Sequence, residues 1–150
     1  MIRTLLAALL FLSICSEIYA QKPAIAVLDL AVGGDIDTSI SGTISDEVRQ
    51  QFLITGKFRL IDKNNMERIL AEQAFQQSGC TDIACAVEIG HLLNVEKIVT
   101  GRLSKLGAKF ILHLNLIDVQ TGIIENSSKE SCTCALEEID VKLVPNPVFT

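Results

Sequence analysis

The sequence predicts an α/β (α+β) chain built on a single mixed β-sheet with helices packed against it. Three observations lead there. Residues 24–30, AIAVLDL, form a short apolar run containing Ile and Val, the pattern of a central strand buried on both faces. Ile40, Ile44, Val48 and Phe52 then recur every fourth residue, which marks residues 39–54 as an amphipathic helix. Further on, Phe110, Leu112, Leu114 and Leu116 alternate with Ile111, His113, Asn115 and Ile117, a period of two with one strongly apolar face. Strands that alternate with helices first and form a meander later fit one mixed sheet.

The remaining elements fall between these. Gly33-Gly34-Asp35 breaks the chain after the first strand. Those letters occur in the diguanylate-cyclase signature, but here Ile36-Asp37 and a helix follow, so they read as a plain turn. Thr55-Gly56-Lys57 closes the first helix with glycine in the C-cap region, and residues 58–62 form a second strand. Asn64 or Asn65 is expected to cap the next helix, whose core face is Met66, Ile69, Leu70 and Ala74. Residues 97–105 and 109–119 read as antiparallel strands joined at Leu106-Gly107-Ala108. After a turn at Gln120-Thr121-Gly122, residues 123–133 form a more polar strand, suited to a sheet edge. Residues 135–144 read as a terminal helix stopped by Pro145 and Pro147. The predicted order is β-α-β-α-α-β-β-β-α, without internal repeat or interdomain linker.

Residues 76–101 hold the chain's most distinctive stretch. Thr81 reads as the N-cap of a helix, with Asp82 in its first turn. Cys80 then falls at N′ and Cys85 at N4, the two positions of a hydrophobic staple, so a Cys80–Cys85 disulfide would make that contact covalent. Ile83, Val87 and Gly90, flanked by Ala86, Ile89 and Leu93, give the helix a broad buried side, and Gly90 allows a close neighbour. Asn94 ends it.

Residues 1–20 have the form of a signal peptide: Arg3, an apolar run over 5–14, and Ile18-Tyr19-Ala20 before Gln21. The apolar run is too short to span a membrane. Residues 21–150 are then one exported domain. A lipoprotein reading places the lipid on Cys15, but Ile14 stands where that signal has a small residue. Export favours disulfides among Cys80, Cys85, Cys132 and Cys134, whose spacings are not those of zinc ribbons. Cys132 and Cys134 are too close in sequence for a relaxed bridge, which leaves a second pair, cross-bridges or thiols. Net charge is −5, and it stays so for residues 21–150 because Arg3 and Glu17 leave together. No basic stripe in the sequence tracks a phosphate backbone, so nucleic acid is not an expected partner.

Nothing in the chain assembles catalytic chemistry. His91 and His113 have no Cys or carboxylate at ligand spacing. The nucleophile-elbow, phosphate-loop and zincin motifs are missing. Asp29, Asp62 and Asp118 each end a strand, where turn and capping roles account for them as well as a metal would. The expectation is a non-enzymatic protein with no cofactor or metal. Glu47, Arg49 and Gln50 on the first helix, and the polar last strand, are the candidate contact surfaces.

The segments KPAIAVLDL, the run from Ile44 to Gly107 with its GCTDIACAVEIG centre, and LIDVQTG resemble the periplasmic domain of the CsgG/HfaB family of curli-type assembly proteins. The same α/β unit is related to the TolB N-terminal, anticodon-binding-like domain and to LpoB-type activators. The resemblance covers residues 22–134. It implies an envelope protein of a diderm bacterium, in the periplasm or at the periplasmic face of the outer membrane. Such a protein assists secretion or fibre assembly through contacts with envelope proteins, including ring-forming copies of itself. Aromatic residues make up only 5%, and no long alternating hairpin is present for a barrel, so the resemblance concerns the assembly domain rather than the pore. The same likeness supports a second reading, an accessory regulator that binds and activates an envelope enzyme such as a peptidoglycan synthase. A third makes the cysteines a thiol-redox or metal centre.

Overall fold

The computed structural model describes residues 21–34, 36–73, 82–135 and 138–139. The strands are β1 (Ala24–Val27), β2 (Ala31–Gly33), β3 (Arg59–Leu60), β4 (Lys97–Leu106), β5 (Lys109–Asp118) and β6 (Ile124–Cys132). The helices are α1 (Thr38–Thr55), α2 (Lys63–Glu72) and α3 (Ile83–Leu92). One mixed sheet runs β3-β1-β4-β5-β6, parallel on its β1 side and antiparallel through β4, β5 and β6. The mixed α+β fold expected from the sequence is the one observed.

The first strand is interrupted. β1 pairs with β4 at Lys97–Val99, and β2 rejoins the same strand at Arg102–Ser104. Leu28 N–H still donates to the Val99 carbonyl (3.0 Å), and beyond it the ladder is interrupted where α1 supplies the hydrogen bonds of Leu30. Ser45 Oγ accepts from Leu30 N–H (2.9 Å), Ser41 Oγ donates to the Leu30 carbonyl, and Arg49 donates to the Val27 carbonyl. Ser41, Ser45 and Arg49 recur every fourth residue, so one buried polar stripe of α1 serves the break.

Caps were placed by neighbours of the expected residues. Asp62, not Asn64 or Asn65, caps α2 by accepting from Asn65 N–H (3.1 Å). Asp82 caps α3 by accepting from Cys85 N–H (2.8 Å). Both are carboxylates, which meet the positive helix terminus better than a neutral side chain. With Asp82 as cap, Cys85 stands at N3 rather than N4; Cys80, its expected disulfide partner, lies outside the described residues. At the other end of α1, Gly56 takes a left-handed φ of 63°, the glycine cap expected there. The terminal helix expected over 135–144 lies mostly outside the described residues. Ile139 is fully buried.

Alternation divides the core. Val99, Leu103, Phe110, Leu112, Leu114 and Leu116 pack with Ile44, Val48 and Phe52 of α1. On the opposite face, Ile98, Ile117 and Val119 pack with Met66, Leu70, Ala86 and Ile89 of α2 and α3.

Candidate protein-docking surface

The α2–α3 pair covers its side of the sheet only at one end. Strand pairing fixes what lies beyond. The hairpin at Gly107-Ala108 pairs Leu106 with Lys109, and the register then carries Arg102 opposite His113 and Thr100 opposite Asn115. β6 adds Ser131 beside Ile111, Lys129 beside His113 and Ser127 beside Asn115. All of these share the face of Ile98 and Ile117, because side chains two apart on a strand point the same way.

Where α2 and α3 stop, this face turns from apolar to polar. Ile98 and Ile117 are buried, whereas Arg102, His113 and Lys129 are exposed, with Ser104, Ile111 and Asn115 half-buried around them. Arg102, His113 and Lys129 form a row across three strands, and Lys109 extends it at the hairpin. Among the described residues, this part of the face carries no carboxylate. A chain of net charge −5 thus presents a locally basic sheet surface. Ser127 Oγ donates to Asn115 Oδ1 (2.8 Å), which orders its centre. An arrangement of this kind is complementary to an acidic, hydrogen-bonding protein surface.

The far end of the same strands carries an ion pair on the other face, that of Val99 and Leu116. Lys97 Nζ donates to Asp118 Oδ2 (2.9 Å) and Glu125 Oε1 (2.5 Å). Hydrogen bonds from Lys97 and Thr121 hold the Asp118 carboxyl down at about 2. Burial works against the Lys97 ammonium, but its bonds to Glu125 and Asp118 raise it above the usual lysine value.

The other candidates fall into structural places. Arg49, expected on the exposed face of the first helix, is buried: Nη2 bonds Val27 O (2.9 Å) and Asp29 Oδ1 (2.6 Å), and Nη1 bonds Asp46 Oδ1 (2.5 Å). Glu47 is half-buried and accepts from Gln51 Nε2 (2.8 Å), which leaves Gln50 as the exposed member of that trio. Asp29 pairs with Arg49, Asp62 caps α2 and Asp118 pairs with Lys97, so the three aspartates do not gather. Among the described residues no group of three metal-binding side chains occurs. His91 is exposed on α3, away from the basic row. Cys132 and Cys134 are joined as a disulfide with Cα atoms 5.3 Å apart. Cys85 is disulfide-bonded, while Cys80 and Cys15 lie outside the described residues. The basic row escaped the sequence reading because it exists only in register. The two-residue hairpin was its available signal, since pairing Leu106 with Lys109 aligns Arg102 with His113.

The model of the peptidoglycan-synthase activator LpoB matches residues 33–131. The chain belongs to the LpoB family. The fold agrees: the LpoB C-terminal domain from Salmonella enterica superposes with a TM-score of 0.60 at 17% identity, over 74% of this chain and 82% of that one. Lipoprotein GNA1162 from Neisseria meningitidis gives 0.54 at 14% identity, over 73% and 79% of the two chains. A PelC L103M dodecamer from Paraburkholderia phytofirmans gives 0.53 at 14%, over 83% and 85%. Among curated proteins no sequence matches at a significant level.

The LpoB match overturns the CsgG/HfaB reading and, with it, curli assembly and secretion. The segments that carried that resemblance lie largely in strands, caps and core helices, which many proteins of this architecture share. They report the sheet-and-helix unit rather than its task. LpoB-family proteins are regulatory activators, not enzymes, and their business is with envelope proteins.

Proposed function

We propose that this protein is a periplasmic accessory activator that binds a peptidoglycan synthase and raises its activity through contact alone. Residues 1–20 direct export, residues 21–150 form the activating domain, and the protein works on the periplasmic side of a diderm envelope. The family match supports the reading, and the row Arg102–His113–Lys129 on an uncovered sheet face carries its site. An acidic patch on the synthase would meet this row, with Ser104, Ile111 and Asn115 supplying shape and hydrogen bonds at the centre. Charge complementarity of this kind speeds encounter and selects the partner.

The test pairs the purified protein with the bifunctional peptidoglycan synthase of its own organism. Binding is followed by calorimetry, and glycan polymerisation from lipid-linked precursor by its rate. Stimulation by the native protein, lost in Arg102→Glu, is the expected result. Native protein that neither binds nor changes the rate would sink the reading. Stimulation equal in native protein and Arg102→Glu would move the site elsewhere.

A further inference from the structure

Cys132 ends β6 opposite Phe110, and Cys134 lies two residues on, joined to it by a disulfide. This bond closes a loop of only three residues and ties no two distant elements together, so it removes little freedom from the unfolded chain. Its surroundings are those of a chemical site. Cys134 lines an open cleft of about 410 Å³ with Ile36, Asp37, Ile40, Lys105, Ala108 and Phe110. Both cysteines are half-buried rather than sealed in the core. The Lys105 ammonium sits over the Phe110 ring, 5.2 Å from its centroid, at this same cleft. Lys105 thus brings to the lining it shares with Cys134 a cation that favours the thiolate exchange requires, against the Asp37 carboxylate on the same lining, which opposes it.

We propose that Cys132–Cys134 is a reversible thiol–disulfide exchange site, opened by a dithiol that enters the cleft and attacks Cys134. The attacking thiolate forms a bond to Cys134 Sγ, the Cys132–Cys134 bond breaks, and its electron pair leaves on Cys132 Sγ, which takes a proton from water. The second thiolate of the same dithiol then attacks its own sulfur in the mixed disulfide. That expels Cys134 as a thiolate facing the cleft that holds Lys105. In sum the dithiol is oxidised to a disulfide and the protein pair is reduced by two electrons. The reverse sequence restores the bond. The site lies on the α1 side of the sheet and is independent of the proposed synthase contact.

Two measurements test it. Native protein is treated with dithiothreitol without denaturant, alkylated and mapped by peptide mass spectrometry. Cys132 and Cys134 are expected to carry the label while circular dichroism keeps the folded spectrum. Labelling only after unfolding would overturn the proposal. Separately, Cys132→Ser and Cys134→Ser are each reacted with glutathione disulfide. The variant retaining Cys134 is expected to react about tenfold faster than the one retaining Cys132, and Lys105→Gln is expected to remove most of that advantage. Equal rates for the two single variants, or an advantage untouched by Lys105→Gln, would overturn the assigned geometry.

Discussion

Arg49 reaches the Val27 carbonyl with both Nε (3.2 Å) and Nη2 (2.9 Å), across a sequence separation of 22 residues. The contact closes the gap where β1 stops and β2 has not begun. Asp29 and Asp46 balance the guanidinium, and Lys63 stands 3.6 Å from Asp29 at the start of α2. One buried cation therefore joins the sheet, α1 and the entry to α2.

Arg49→Ala should accordingly be the most damaging of the polar substitutions. It takes the guanidinium from the Val27 carbonyl and leaves Asp29 and Asp46 with Lys63 alone, at 3.6 and 3.9 Å, as their cation. Both carboxylates reach solvent, so the loss is that of the buried carbonyl's hydrogen bonds, about 1–3 kcal/mol. Arg49→Lys keeps the charge but cannot span the same acceptors, so an intermediate loss is expected. Urea unfolding of the three proteins measures this, and Arg49→Ala within error of the native protein would show that the network contributes nothing.

A close approach of helix and strand makes the second prediction. A Cβ placed on Gly90 of α3 would meet Val119 Cγ2 at 2.5 Å. Alanine is the better helix former by about 1 kcal/mol, so propensity alone would make Gly90→Ala stabilising. Overpacking costs about 1–3 kcal/mol and should win. Adding Val119→Ala opens the space, and the double variant should lose less than the sum of the two single changes. Strict additivity in thermal or urea melts would refute the contact.

How much of this was legible depends on the range of the interactions. α1 showed itself through Ile44, Val48 and Phe52, and β5 through the alternation around Leu112 and Leu114, because local periodicity encodes both. The left-handed Gly56 and the polar edge of β6 are local signals too. The break at residues 28–30 was hidden inside an apolar run, since its hydrogen-bond partners Ser41, Ser45 and Arg49 stand on the next element. Arg49 was misread for the same reason: a charged residue on a helix is normally exposed. The basic row needed three strands in register before Arg102, His113 and Lys129 became neighbours. The task of the chain was blurred because the familiar segments are those that build the fold.

The ion-paired base of the meander sets a pH dependence. Asp118 has its carboxyl lowered from 3.8 to about 2 in the folded protein, first by the hydrogen bond from Lys97 and then by Thr121. A depressed carboxyl contributes stability that is fully present above the unfolded value and disappears as pH falls through the folded one. Its contribution should therefore hold above about pH 4 and fade towards about pH 2. Asp118→Asn should flatten the acid limb of the stability curve in that window while leaving its shape near neutrality unchanged. An acid limb identical in the two proteins would contradict the pairing.

Neighbouring residues on β6 offer the sharpest test of the docking face. Lys129 pairs with His113 and points to the uncovered side, whereas Glu130 pairs with Leu112 and points to the α1 side. Both are exposed on an edge strand, so charge reversal at either should change stability by no more than about 0.5 kcal/mol. Binding should separate them. Lys129→Glu sets a carboxylate against the acidic surface expected of the synthase and should weaken binding about tenfold, mainly through slower association at low salt. Glu130→Lys leaves the docking face intact, and its affinity should match the native protein. Titrations at two salt concentrations distinguish a charge effect from a fold effect, because only the former shrinks as salt rises. Equal losses in the two variants would mean that general charge, not this face, governs the contact.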